Sequence, residues 1–186
     1  MNIKDYFTIF FISILLIGCT SIPEANSDIQ TLIIGELQLE ASGYSTANVP
    51  INGISTVGID MKIQNTSTGK DYFLRSTTGG VFFSVNVPPG IYRITRLYYK
   101  REAGNAWREV WWDRPLGTSS FEVEFGKTNN MGQLHWVSVS GISSTLQHNE
   151  GYEQVSNNFI QNNPKSNWLE KEWVSTNIGW RPSFTE

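Results

Sequence analysis

The chain has 186 residues, with 14 Lys or Arg against 17 Asp or Glu and a formal charge of −3. That balance, with no basic block, excludes a nucleic-acid binder working through the phosphate backbone. The single cysteine excludes an intrachain disulfide, and seven Trp, seven Tyr and ten Phe among many Gly, Ser, Thr and Asn favour pleated strands and tight turns, hence a mainly β fold.

Residues 6–18 carry no charge and follow Lys4 and the α-amine, whose positive charge Asp5 partly offsets. So short an apolar run cannot cross ~30 Å of hydrocarbon, for which a helix needs ~20 residues, and it reads as the core of a secretory signal. It ends in Leu16-Ile17-Gly18-Cys19, which resembles the lipobox of a bacterial lipoprotein. The resemblance implies that residues 1–18 are a signal peptide removed after Gly18, and that Cys19 takes a diacylglyceryl group on sulfur and often an acyl group on nitrogen. At ~0.8 kcal/mol per buried methylene, two or three chains anchor stably where one binds only marginally. Thr20 stands where Asp would, which by analogy with the sorting rule of some Gram-negative bacteria implies the outer membrane.

Residues 19–30 hold Ser, Pro, Asn and Asp with no period, and are expected to form a lipidated flexible tether. Short strands at spacings of about ten residues then fill 31–148. Leu32, Ile34, Leu37 and Leu39 alternate with a change of phase at Gly35 that suggests a bulge, and Val57, Ile59, Met61 and Ile63 alternate with polar partners. Val81, Phe83, Val85 and Val87 face one way before Pro88-Pro89-Gly90 stops the strand, where Gly90 can take a positive φ. Further strands cover 91–101 and 107–112, then Phe121, Val123 and Phe125 alternate with Glu122 and Glu124, and Leu134 and Trp136 share a face. In 149–178, Tyr152, Val155, Phe159 and Ile160 fall at helical spacing, and Asn163-Pro164 is expected to start a second helix through Trp168, Leu169, Glu172 and Trp173. The tail is 179–186. The expected whole is an antiparallel β-sandwich with two short C-terminal helices packed on one face or end.

Residues 80–94 (Gly-Val-Phe-Phe-Ser-Val-Asn-Val-Pro-Pro-Gly-Ile-Tyr-Arg-Ile) resemble a signature of transthyretin-like and carboxypeptidase-regulatory-like sandwiches, in which a Pro-Gly turn precedes a tyrosine that opens the next strand. Residues 121–132 resemble the paired strands and Gly-Lys-Thr turn of bacterial lipoproteins of that kind, so the resemblance spans roughly 31–148. Immunoglobulin-like sandwiches share the pattern. What it implies is architectural: a module that binds, spaces or stabilises.

For catalysis or metal binding the residues offer little. His135 and His148 stand far apart, His135 between Leu134 and Trp136 on the opposite face of its strand, and the aspartates lack calcium-loop spacing, so neither metal nor cofactor is expected. There is no Gly-x-Ser-x-Gly elbow, and Glu122 with Glu124 reads as a solvated strand face before it reads as a glycosidase pair. The aromatic residues are the richer signal. Tyr98-Tyr99 and Trp107-x-x-x-Trp111-Trp112 place neighbouring rings on opposite faces. Tyr99, Trp107, Trp111 and Trp112 therefore either stack on a sugar or cover a sheet edge beneath the C-terminal helices, where Trp168 and Trp173 need a partner surface. The expected function is a lipid-anchored, non-catalytic envelope module held to the membrane through Cys19 and facing an envelope protein or a glycan; the alternatives are a carbohydrate-binding module using Tyr99, Trp107, Trp111 or Trp112 and, second, an envelope hydrolase with an unrecognised site involving Glu122, His135 or His148.

Overall fold

In a computed structural model, residues 22–42, 53–55, 59–77, 80–103, 106–112, 120–139 and 143–179 are described. In 39, 41–42, 53–55, 99–103, 106–112, 138–139 and 143–144 the description covers the backbone alone. The strands are β1 (Leu32–Ser42), β2 (Gly53–Ser55), β3 (Ile59–Asn65), β4 (Asp71–Ser76), β5 (Val81–Val85), β6 (Gly90–Ala103), β7 (Ala106–Trp112), β8 (Ser120–Val123), β9 (Thr128–Val139), β10 (Ser143–His148) and β11 (Trp173–Ser175). One helix, α1 (Tyr152–Asn162), and a 3-10 turn (Asn167–Glu170) complete the described elements.

The mainly β expectation holds, but the sheet is mixed. Its order is β10-β9-β1-β5-β4-β3-β6-β7, with β11 also on β9, β2 on β1 and β8 on β6. β1 runs parallel to β9 from Leu32/Thr128 to Ser42/Val139, and β11 runs parallel to β9 on its other side. The all-antiparallel expectation is thus corrected. Hairpin alternation could not show this pairing, because it joins segments about a hundred residues apart. The sheet curls into a half-barrel, and Gly179 N donates to Ser120 O at 3.1 Å, tying the stretch after β11 to β8.

Two apolar clusters flank β1. Ile33, Leu37, Ile59, Met61, Ile63, Leu74, Phe82, Leu97, Phe121, Trp136 and their neighbours fill the concave core, while Leu32 and Ile34 on the opposite face lie under Val155, Phe159 and Trp168. Residues 31–37 are buried throughout because β1 is covered on both sides, as parallel strands usually are. A register break stands at Gly35 as expected, but the bulge is on the partner strand: Ile34 pairs with Asn130 and Glu36 with Gln133, so the one extra residue belongs to β9, while β1 keeps unbroken register with β5 through Gly35. Gly35 itself meets the Phe82 ring, which a Cβ would approach to 2.4 Å.

The second C-terminal helix is not formed. Ser166 caps a single 3-10 turn, Lys171 is extended, and Trp173 enters β11, where the β9 edge supplies backbone partners. Among the described residues, Trp168 and Trp173 belong to the β1-side cluster, and α1 packs on β9 and β1.

Tyr92, wholly buried, donates its hydroxyl to Pro88 O at 2.7 Å and fixes the Pro88-Pro89-Gly90 turn, where Gly90 has φ +143°. Burial raises the Tyr92 phenol above its ordinary value, and burial with the Glu150 charge raises that of Tyr152. A raised folded-state value gives stability that is full below the unfolded value of about 10 and is lost as pH rises through the folded value. The urea midpoint should therefore fall above pH 10. Tyr92→Phe should be less stable at pH 7 by about 1 kcal/mol, having lost one hydrogen bond, yet decline less steeply with alkali. Parallel pH profiles for the two proteins would refute this.

Candidate functional site

One end of the half-barrel gathers the starts of β1, β6, β9 and β11 and the ends of β5 and β8. Residues 22–30, expected as a flexible tether, lie here as an ordered strap. Ile22 is buried with Leu32, Ile34 and Trp168. Trp168 Nε1 donates to Pro23 O at 2.7 Å. Ala25 N donates to Asn167 Oδ1 at 2.8 Å and Asn167 Nδ2 returns a bond to Ala25 O at 2.7 Å, while Glu24 accepts from Asn167 N and Ser166 Oγ. Composition reads as tether because the strap's own residues have no periodic apolar face. What orders it is a set of polar groups some 140 positions later in the chain.

Lys171 is the chief of these. Its ammonium donates to the carbonyls of Asp28 at 2.8 Å, Gln30 at 3.0 Å, Ser27 at 3.2 Å and Gly126 at 3.4 Å, and lies 5.4 Å from the centre of the Trp168 ring. It closes strap, β8–β9 turn and 3-10 turn around one charge. Lys171→Met should cost about 1–3 kcal/mol, since several carbonyls lose their donor at once, and should speed amide exchange in 25–30 well before global unfolding. Uniform exchange across strap and core would contradict the role.

The β8–β9 turn is shaped by Asn129. Its side chain, wholly buried, accepts from Glu124 N at 2.7 Å and donates toward Glu124 O, Lys127 O and Leu32 O. This ends β8 at Val123, so Phe125 does not continue the Phe121/Val123 face as expected; it is turned out and is 58% exposed. Lys127 bridges Glu124 at 2.8 Å and Glu172 at 3.0 Å, and these carboxylates, Glu124 first, raise its pKa. Beside the turn, Ile29 is 63% exposed, and Ile29, Thr31, Val87, Pro88, Pro89 and Phe125 line a depression of about 340 Å³. Neither the strap nor this depression was found from the sequence; the one available signal was Phe125, an aromatic residue directly before a Gly turn.

The residues singled out from the sequence are dispersed. Cys19 lies outside the described residues. Tyr99, Trp107, Trp111 and Trp112 fall on the β6–β7 hairpin, their side chains outside the description; its register sets Trp112 opposite Leu97, Trp111 opposite Tyr98, Tyr99 opposite Val110 and Trp107 opposite Glu102. Glu122 is exposed on β8 and Glu124 is engaged by Lys127, so no carboxylate pair is assembled. His135 is half-buried opposite its buried neighbours Leu134 and Trp136, with Nε2 3.1 Å from Glu40 Oε2 but outside hydrogen-bond geometry. His148 Nε2 lies 2.9 Å from Met131 O, its ring edge-on to Tyr152. Among the described residues no three His, Cys, Asp or Glu converge as a metal site requires, and no helix is long and apolar enough to cross a membrane.

No protein-family model and no curated protein matches this chain. Among solved structures, a leucine-rich repeat protein from Bacteroides thetaiotaomicron is similar over 60% of this chain at 16% identity and a TM-score of 0.37, and the aligned part is 14% of that protein. So loose a superposition carries neither fold nor function across.

Proposed function

We propose that the chain is a lipid-anchored, non-catalytic β-domain of the bacterial cell envelope, held in the outer membrane by acyl chains on Cys19 and serving as a binding or scaffold module. The reading treats the half-barrel as a relative of the transthyretin-like sandwich that residues 80–94 resemble, with β1 and β9 paired in parallel. The observation that carries it is the place of the strap: Ile22, three residues after the lipobox cysteine, is already packed into the fold. An anchor there holds a whole folded domain at a fixed site and not a loose chain. Metabolic labelling with a fatty-acid analogue tests the reading. Wild type should take the label and Cys19→Ser should not; equal labelling, or none in wild type, sinks it.

A glycan-binding role has one supporting observation. β7 is the last strand of the sheet order, and the β6–β7 register puts Trp111 opposite Tyr98, with Trp107 four residues away at a position on the same face; Trp112 instead stands opposite the buried Leu97. Trp107 and Trp111 are therefore the pair to substitute. Peptidoglycan or glycan-array binding that survives both alanine variants removes this role.

A further inference from the structure

The anchor and the exposed apolar end of the half-barrel are linked by covalent geometry. Only Thr20 and Ser21 separate Cys19 from Ile22. Three residue steps reach at most about 10 Å, so acyl chains inserted in a bilayer bring Ile22 to within about that distance of the headgroups. Ile22 does not lie alone. Trp168, beside it, holds Pro23, and Lys171 stacks on the same ring while gripping Ser27, Asp28 and Gln30. The strap cannot swing away without breaking these bonds, so an anchor at Cys19 keeps the end that carries it near the membrane.

That end presents Ile29, Phe125, Pro88 and Pro89 around the apolar-lined depression, with Ile29 and Phe125 more than half exposed. In an aqueous partner-free setting two such side chains at one depression have no compensation; at the headgroup boundary they would be buried. We propose that Ile29, Phe125 and the Pro88-Pro89 turn form a membrane-contacting surface that seats the domain on the lipid interface in one orientation. The inference rests on the Cys19 anchor. It commits to lipid, because the short reach from the anchor delivers a bilayer to this end before any other partner.

The opposite end supplies the control. Thr145 pairs with Val137, nine residues along β9 from Thr128, which at ~3.3 Å per residue lies about 30 Å from the proposed contact. With the Cys19 sulfur held in a thioether, cysteines introduced by Ile29→Cys, Phe125→Cys or Thr145→Cys are the sole thiols and take a fluorescent probe. The acylated full chain is reconstituted in phosphatidylethanolamine and phosphatidylglycerol vesicles carrying a nitroxide-labelled lipid. Quenching at positions 29 and 125 should be several-fold stronger than at 145. Similar quenching at all three positions overturns the proposal, as does absent quenching at 29 and 125. Absent quenching with a dimer in sedimentation assigns the patch to a second copy and equally overturns it. Hydrogen exchange of the unlabelled acylated chain gives the same answer without substitution: amides of 27–30 and 124–127 should exchange more slowly than in the unacylated Cys19→Ser chain in solution, and unchanged rates count against the contact. A chain that carries no acyl group sinks the anchor and this inference together, whereas an acylated chain that fails these readouts sinks this inference alone.

Discussion

Gly132→Ala should unfold the domain or cost it about 4 kcal/mol or more, the largest effect expected of any single methyl group in this chain. Gly132 sits at φ +65° in the β9 bulge, and a Cβ there would stand 1.6 Å from Glu150 O and 2.7 Å from Glu150 C. That carbonyl cannot step aside. It accepts from Gln133 N at 2.9 Å, and Asn149 N donates to Gln133 O at 2.9 Å, so the clash falls on paired backbone. Gly69 is the internal control: its φ is +71°, yet nothing lies within 4 Å of its Cβ position. Gly69→Ala should cost only the conformational penalty, about 1–2 kcal/mol. Equal losses in urea unfolding would show that φ alone accounts for Gly132.

Trp168→Ala should cost about 3–5 kcal/mol, the range for removing a large buried ring. The side chain is wholly buried against Ile22, Leu32, Ile34, Val155 and Phe159, and its Nε1 is the donor to Pro23 O. The loss should be uneven. Removing the ring also removes the face on which Lys171 rests, so the strap should become cleavable by protease between residues 22 and 30 under conditions where β3, β4 and β6 stay intact. Trp168→Phe keeps most of the apolar area and loses the hydrogen bond, and should cost less. A strap as protected in Trp168→Ala as in wild type would refute its role as the clamp.

These two sites mark the boundary between what the sequence discloses and what it conceals. Strand β3 is legible because Ile59, Met61 and Ile63 alternate with polar residues and all three are wholly buried. Gly35 is legible as the place of a register break because it interrupts an alternating run, although the extra residue lies on β9, and α1 is legible from Val155 and Phe159, which lie four apart and are both buried. The parallel β1–β9 pair is not legible, since pattern fixes which face a residue takes and not which strand lies beside it. The strap is hidden for a related reason: Pro23, Ala25 and Ser27 carry no period, and the groups that hold them, Asn167, Trp168 and Lys171, look like ordinary residues of a helix until the chain folds. Phe125 misled by continuing an alternation that Asn129, four positions on, brings to an end.

The consequence for function runs through that strap. A flexible tether would let the domain sample all orientations at a membrane, and its surface would say nothing about the lipid. With the proposed anchor at Cys19, a strap packed from Ile22 leaves two residues between acyl chain and fold, and would hold Ile29 and Phe125 in a restricted relation to the bilayer.

The N-terminal peptide of the mature chain, taken from the membrane fraction and analysed by mass spectrometry, tests the anchor most directly. The peptide should begin at Cys19 and carry the mass of a diacylglyceryl thioether, with or without an N-acyl chain. A peptide that begins at another residue, or a Cys19 with a free thiol, would contradict the account.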